Sequence, residues 1–306
     1  MDCQFLKKLD RDGLNQIFQY LAIKKYDNSS RIITFGLDEI NDIFDLDLIN
    51  IPSPKDEDNL IYKIFFRLCI QILPFFLRLL SQYFRLISTA GEKRTQEGSE
   101  FQITKGLFSS IVYFQKIYFQ SENTASPLAI KTLKFHPDLL KSAKNKLLKF
   151  NQDSQNLYFV HIRRGDFVSW PNNENPAVVP LNWFYDQIEL IKSRNPEATF
   201  LVFSNDKPYV IEFFRNQSNT FVIQESQKVE FSMMSLCMGG GILSPSTFAW
   251  WAARINPRQS GSSYFIAPLY WIGHRVSSWY PEGVQTTWID YRPVDHSLPL
   301  KKADSS

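Results

Sequence analysis

Residues 157–166 read Leu157-Tyr158-Phe159-Val160-His161-Ile162-Arg163-Arg164-Gly165-Asp166. An uncharged aromatic and β-branched run ends abruptly in two arginines, a glycine and an acid. The apolarity is continuous rather than alternating, which suits a strand buried on both faces, as in a parallel sheet. Four more short runs follow, at Phe200–Phe203, Phe221–Ile223, Gly241–Leu243 and Tyr264–Ala267. Helical patterns fill the gaps at 181–194, 207–216, 229–238 and 246–255. Strand–helix repetition of this kind predicts a doubly wound α/β domain.

The chain has 306 residues, above the length at which a single hydrophobic core stops growing. Two domains are expected, 1–150 and 151–306, divided near Phe150–Asn156. The first half is less regular. A helix is expected over 14–25, loops with short elements over 27–58, a basic helix over 60–88 and a strand over Ile111–Phe119. The polar stretch 90–100, AGEKRTQEGSE, reads as an exposed, mobile connection.

Hydrophobic residues make up 44% and charged residues 21%, which excludes a disordered, collagenous or coiled-coil chain. Thirty-four basic against 31 acidic residues give a net charge of +3. That balance is too even for nucleic acid as the main partner and fits a small anion held in one local basic site. Cys3, Cys69 and Cys237 are odd in number and far apart, so neither a disulfide framework nor a zinc spacing is read. A reducing compartment is expected, with no signal peptide or membrane anchor at the N-terminus.

Residues 60–89 are strongly apolar but interrupted by charge. Lys63, Arg67, Gln71, Arg78, Gln82 and Arg85 fall within about 100° on a helical wheel. A spanning helix tolerates few charges, so that reading is rejected. Two readings remain open: a largely buried helix kinked at Pro74 with one solvated stripe, and a basic amphipathic helix on an anionic membrane surface.

In an open parallel sheet, ligands bind beyond the carboxyl ends of the strands. At those ends stand Arg163-Arg164-Gly165-Asp166, Ser204-Asn205-Asp206 and Ser244-Pro245-Ser246-Thr247, the last opening a helix. Arginines supply paired donors, a helix N-terminus supplies free backbone N–H groups, and Asp206 can accept from a ribose hydroxyl or a base amino group. Together they describe a nucleotide-diphosphate site built without a glycine-rich phosphate loop. Taken singly, each piece has a plainer reading, as a surface turn or a helix cap.

The segment His161–Asp166 resembles the H-x-R-R-G-D signature of α-1,2-fucosyltransferases, glycosyltransferase family 11. In the same order, Gly13–Tyr20 resembles the family's opening G-L-G-N-Q-M-F-Q-Y, and Tyr118–Glu122 its Y-F-Q-S-E. Phe203–Asp206 resembles F-S-D-D, Met234–Cys237 with Ser246–Trp251 resembles M-S-L-C and S-T-F-x-W-W, and Ala267-Pro268 with Trp288-Ile289 resembles the closing segments. The likeness covers 10–25 and 111–292. It departs from the pattern at Gly13-Leu14-Asn15, one glycine short, at Asn205 where Asp is common, and at Gly239-Gly240, where bacterial members often carry His-Asn.

The resemblance implies a GT-B-like fold of two Rossmann-like halves, with the C-terminal doubly wound sheet binding the nucleotide sugar. It implies GDP-β-L-fucose as donor, inversion at the anomeric carbon, the 2-hydroxyl of a galactose on a glycan as acceptor, lipid-linked acceptors among the candidates, and no cofactor or divalent metal. The D-x-D patterns at Asp10–Asp12, Asp45–Asp47 and Asp56–Asp58 read as solvated acid. Arg163, Arg164 and Asp166 are expected to be catalytic. His161, Asn15, Ser204, Asp206, Ser246 and Thr247 are expected to bind the donor, although His161, one residue short of the strand's end, also reads as a structural histidine pointing into the sheet. Candidate bases are Asp166, Glu122 and Asp12. An α-1,6-type fucosyltransferase and a non-catalytic GDP-sugar or glycan-binding protein are the competing readings. A cytoplasmic setting, with peripheral membrane contact through 60–89, completes the expectation.

Overall fold

The computed structural model describes residues 3–6, 14–26, 31–95, 98–114, 119–257 and 264–297. Asp10, Asp12, Gly13 and Tyr118 lie outside them. The chain forms two compact units, Met1–His136 with Glu282–Val284, and Pro137–Pro281 with Gln285–Ser306. The division thus falls ahead of residue 150. The helix Pro137–Leu147 goes with the second unit, where Lys146 Nζ pairs with Glu225 Oε1.

In the first unit, strands β1 (Cys3–Leu6), β2 (Arg31–Phe35), β3 (Ile49–Ile51), β4 (Ile87–Thr95), β5 (Gly98–Thr104) and β6 (Phe108–Phe114) form one sheet in the order β3-β2-β1-β6-β4-β5. All neighbours are parallel except β4 and β5. Helix α1 (Asn15–Tyr26) buries Ile17, Phe18, Leu21 and Ala22 completely. Helix α2 (Leu60–Gln82) runs unbroken through Pro74.

Three expectations are corrected here. Residues 90–95 and 98–100 are not a mobile connection but parts of two antiparallel strands, in which Gly91 pairs with Gln102 and Lys93 with Glu100. The pairing is a backbone relation between two segments, so no apolar pattern within 90–100 announces it. Helix α2 stops at Gln82, because Arg85 turns left-handed at φ +51° and the chain enters β4. The reading of that helix as largely buried fails as well. Only Phe66, Leu77 and Ser81 are buried, with Leu77 packed on Ile87 and Tyr113.

In the second unit, helix α3 (Pro137–Leu147) precedes strand β7 (Leu157–Ile162). The unit continues through α4 (Leu181–Arg194), β8 (Thr199–Ser204), α5 (Lys207–Phe214), β9 (Thr220–Val222), α6 (Gln227–Ser235), β10 (Gly240–Leu243), α7 (Thr247–Arg254), β11 (Tyr264–Pro268) and β12 (Ile289–Arg292). Every sheet neighbour is parallel. The order β9-β8-β7-β10-β11-β12 is the doubly wound 3-2-1-4-5-6 arrangement. All residues of β7, β8 and β10 are buried, as continuous apolarity requires. Val160, Ile162, Phe200 and Val202 of the sheet share a core with Phe184 and Ile188 of α4. The architecture is the expected α/β, GT-B-like pair of Rossmann-like halves.

Candidate functional site

The order of connection reverses between β7 and β10: from β7 the chain adds β8 and β9 on one side, then returns to add β10, β11 and β12 on the other. The crevice at such a switch point is where doubly wound sheets hold ligands. Register fixes what stands there. Ile162 pairs with Ser204 and His161 with Leu243, so Arg163, Asn205 and Ser244 leave the sheet together at one edge.

Ser244 is the hub of that edge. It is 1% exposed, its Oγ accepts the Arg163 N–H at 3.1 Å and stands 2.7 Å from His161 Nδ1. His161 is 7% exposed and stacked on Phe248 at 5.4 Å. Burial, and then the nearby Arg163 charge, push its pKa down to about 3, so the ring is neutral at physiological pH.

Arg163 turns back on its own loop. Its Nη2 lies 2.9 Å and its Nε 3.1 Å from Asp166 Oδ1. Arg164 is more deeply held: its N–H donates to Asn205 Oδ1 at 2.8 Å, its Nε to Asp206 Oδ2 at 3.0 Å, and its guanidinium lies 3.5 Å above the Tyr209 ring. The side chains of Arg163 and Arg164 are 26% and 14% exposed, so Arg163 is the more accessible charge. Ser204 Oγ accepts the Asp206 N–H at 3.0 Å. Gly165 is required between the arginines and Asp166, since it adopts φ +35° and a Cβ there would lie 2.4 Å from Asn205 Nδ2.

Ser246 caps α7, its Oγ accepting the Phe248 N–H at 3.2 Å. A hydroxyl that accepts this bond still has its own proton to donate. Ser246 and Thr247 are half-buried, at the positive end of the helix. Trp250 and Trp251, behind them, are fully buried core.

Of the expected residues, the structure gathers His161, Arg163, Arg164, Asp166, Ser204, Asp206, Ser246 and Thr247 at this edge. Asn15 belongs to the first unit, where Gln120 Nε2 donates to its Oδ1 at 2.6 Å, joining two motifs 105 residues apart in sequence. Glu122 is also in that unit, its N–H donating to Gly283 O at 2.9 Å. Asp12 lies outside the described residues. The expected set omits Ser244, Asn205 and Tyr209. Ser244 and Asn205 were legible as the first polar residues after their strands; Tyr209, two residues into α5, carried no such signal. Chemically, the edge can present two guanidinium groups and a capped helix N-terminus to an anion.

The family model described as "Glycosyl transferase family 11" matches residues 54–277, well over half of the chain. Two curated relatives from Escherichia coli are similar over part of it. The O-antigen biosynthesis glycosyltransferase WbnK is 28% identical over 124 residues, 39% of this chain and 40% of that protein. An alpha-1,2-colitosyltransferase is 35% identical over 120 residues, 37% of this chain and 40% of that protein. Each match therefore spans about two fifths of the relative's length. Among solved structures, a glycosyl transferase family 9 protein from Veillonella parvula aligns over 97% of this chain and 88% of its own, with a TM-score of 0.55 and 8% identity, a likeness of fold.

Proposed function

This chain belongs to glycosyltransferase family 11, and we propose that it moves L-fucose from GDP-β-L-fucose to the 2-hydroxyl of a galactose on a glycan, with inversion, in the cytoplasm and without a divalent cation. The observation that carries the reading is the meeting of Arg163, Arg164 and the Ser246-capped end of α7 at the switch point of the second sheet.

In that reaction the bond between the fucose anomeric carbon and the β-phosphate oxygen breaks, and the electron pair leaves with GDP. The acceptor oxygen attacks from the opposite face and passes its proton to a carboxylate base, Asp166, Glu122 and Asp12 being the candidates, as the new bond forms. Positive charge develops on the sugar and negative charge on the departing phosphate. A guanidinium aimed at that phosphate stabilises the transition state more than the ground state, a contribution of several kcal/mol. Arg163, the more accessible arginine, takes this role. Arg164, stacked on Tyr209 and paired with Asp206, shapes the edge beside it. Asp166 positions Arg163, its Oδ1 taking two of the guanidinium's N–H groups. Ser246 and Thr247 bind the diphosphate with hydroxyl and backbone donors.

The colitosyl relative makes the sugar itself a second arm of the test. Labelled GDP-fucose and GDP-colitose are offered with an acceptor array, and the product linkage is determined. Fucosyl transfer to galactose O2, undiminished by excess EDTA, is the expected result. Transfer of colitose alone would reassign the donor. Activity lost in EDTA and restored by Mg²⁺ or Mn²⁺ would overturn metal independence, and tight GDP binding without turnover would overturn the enzyme reading.

A further inference from the structure

Helix α2 is long and apolar enough to cross a bilayer by length and composition alone, yet it is docked. Phe66, Leu77 and Ser81 face the first unit, with Leu77 in a cluster with Ile87 of β4 and Tyr113 of β6. The opposite face is uncovered. Ile61, Phe65, Leu68, Ile72, Phe75 and Phe76 are 79%, 47%, 47%, 44%, 59% and 54% exposed, and they fall within about 100° of one another on the wheel. The uncovered surface continues past the helix end through Tyr83 and Phe84, 77% and 65% exposed. Leu107 and Phe108, 76% and 56% exposed, are tied to that end by backbone bonds to Arg85 and Leu86. An uncovered apolar band of this length on a soluble surface marks an interaction site.

Charge identifies the occupant. Lys63, Arg67 and Arg78 run along one border of the apolar band, and Arg85 follows the helix end; no acid occurs between Leu60 and Gln82. The acids Asp56, Glu57 and Asp58 stand before the helix, where Lys63 Nζ donates to the Asp56 carbonyl at 2.7 Å. From Arg67 onward the border carries Arg67, Gln71, Arg78 and Gln82, positive charge and neutral amides with no acid among them. A second copy of this chain would bring a like-charged border against it, with no acid on the helix to pair. Lipid phosphates supply that pairing, and acyl chains cover the apolar band.

We infer that α2 lies in the plane of an anionic membrane surface, its outer face in the acyl boundary and its arginines among the headgroups. The packing of Phe66, Leu77 and Ser81 keeps the helix parallel to the surface, since crossing the bilayer would strip them from their own sheet.

Flotation of the full chain with phosphatidylcholine vesicles, with and without phosphatidylglycerol, tests this and needs no turnover. Binding is expected only to the anionic vesicles, weakening with salt. Phe75→Glu/Phe76→Glu, both at exposed positions, should abolish it. Arg67→Glu/Arg78→Glu should reduce it about tenfold or more, with circular dichroism unchanged in both. Failure to float on anionic vesicles, or flotation indifferent to both pairs, would overturn the inference. So would a stable dimer in analytical ultracentrifugation that Phe75→Glu/Phe76→Glu converts to monomer, since the occupant would then be a second copy.

Discussion

Gly165→Ala is a one-carbon change that tests how the arginines are presented. The native φ of +35° is left-handed, and the new Cβ would lie 2.4 Å from Asn205 Nδ2. Left-handed backbone costs a residue with a Cβ about 1–2 kcal/mol. Clearing the methyl turns the Asn205 amide away, so its Oδ1 loses the 2.8 Å bond from the Arg164 N–H, a further loss of about 0.5–1.5 kcal/mol. The sum, about 1.5–3.5 kcal/mol, falls on the loop conformation that carries both guanidinium groups and corresponds to about 10- to 400-fold in kcat/KM. GDP binding by calorimetry should weaken in parallel, while urea unfolding shifts less, because Gly165 and Asn205 are exposed and can relax. Asn205→Ala added to Gly165→Ala removes the clash but not the strained backbone. The double variant should therefore be no worse than Gly165→Ala alone, a non-additive cycle. A Gly165→Ala protein that binds GDP and turns over like the parent would refute the view that this turn sets the arginines.

Arg163→Lys keeps a charge but not the planar fork, and it should lose about 10²-fold or more in kcat/KM with its fold intact by circular dichroism; a near-normal kcat would refute the assignment, and an inactive Arg164→Ala beside an active Arg163→Ala would exchange the two roles. Ser246→Ala should raise the donor KM more than the acceptor KM, and losing the cap should also destabilise the fold by about 0.5–2 kcal/mol; equal KM effects would leave Ser246 a cap only. The pKa of His161, held at about 3 against an ordinary 6.5, means the unfolded chain binds a proton there that the folded chain does not, so stability drains as pH falls from 6.5 toward 3. Urea unfolding of His161→Gln at pH 7, 6 and 5 should show a shallower decline than the parent, by up to about 1.4 kcal/mol per pH unit, and an unchanged slope would mean His161 is not buried neutral.

Strands read well from sequence wherever both faces are buried. Leu157–Ile162 and helix Leu181–Arg194 fall on the expected residues, because continuous apolarity and a 3.6-residue repeat each leave one solution. The β4–β5 pair was misread because Glu92, Lys93, Arg94 and Glu100 look solvated. Their backbone pairing is a relation between two segments, and composition does not carry it. Helix α2 misled in the opposite way: its apolar band is plain, but a sequence does not say what covers a band. At the site, the arginines and hydroxyls were legible as chemistry, whereas Ser244 as a hub and Asn205 as a clamp follow from register across strands 80 and 40 residues apart, roughly.

The pairing of Arg163 with Asp166 and Arg164 with Asp206 also bears on how a nucleotide leaves. Four charges of alternating sign are nearly balanced, so this edge is not a bare cationic trap. A diphosphate that draws Arg163 toward itself strips Asp166 of its counter-ion, and that carboxylate then stands as a rival for the same guanidinium. In the proposed reaction this rivalry would lower affinity for donor and spent nucleotide together, favouring turnover over retention. Asp166→Asn should accordingly tighten GDP binding while slowing its dissociation, a trade that stopped-flow displacement would read directly.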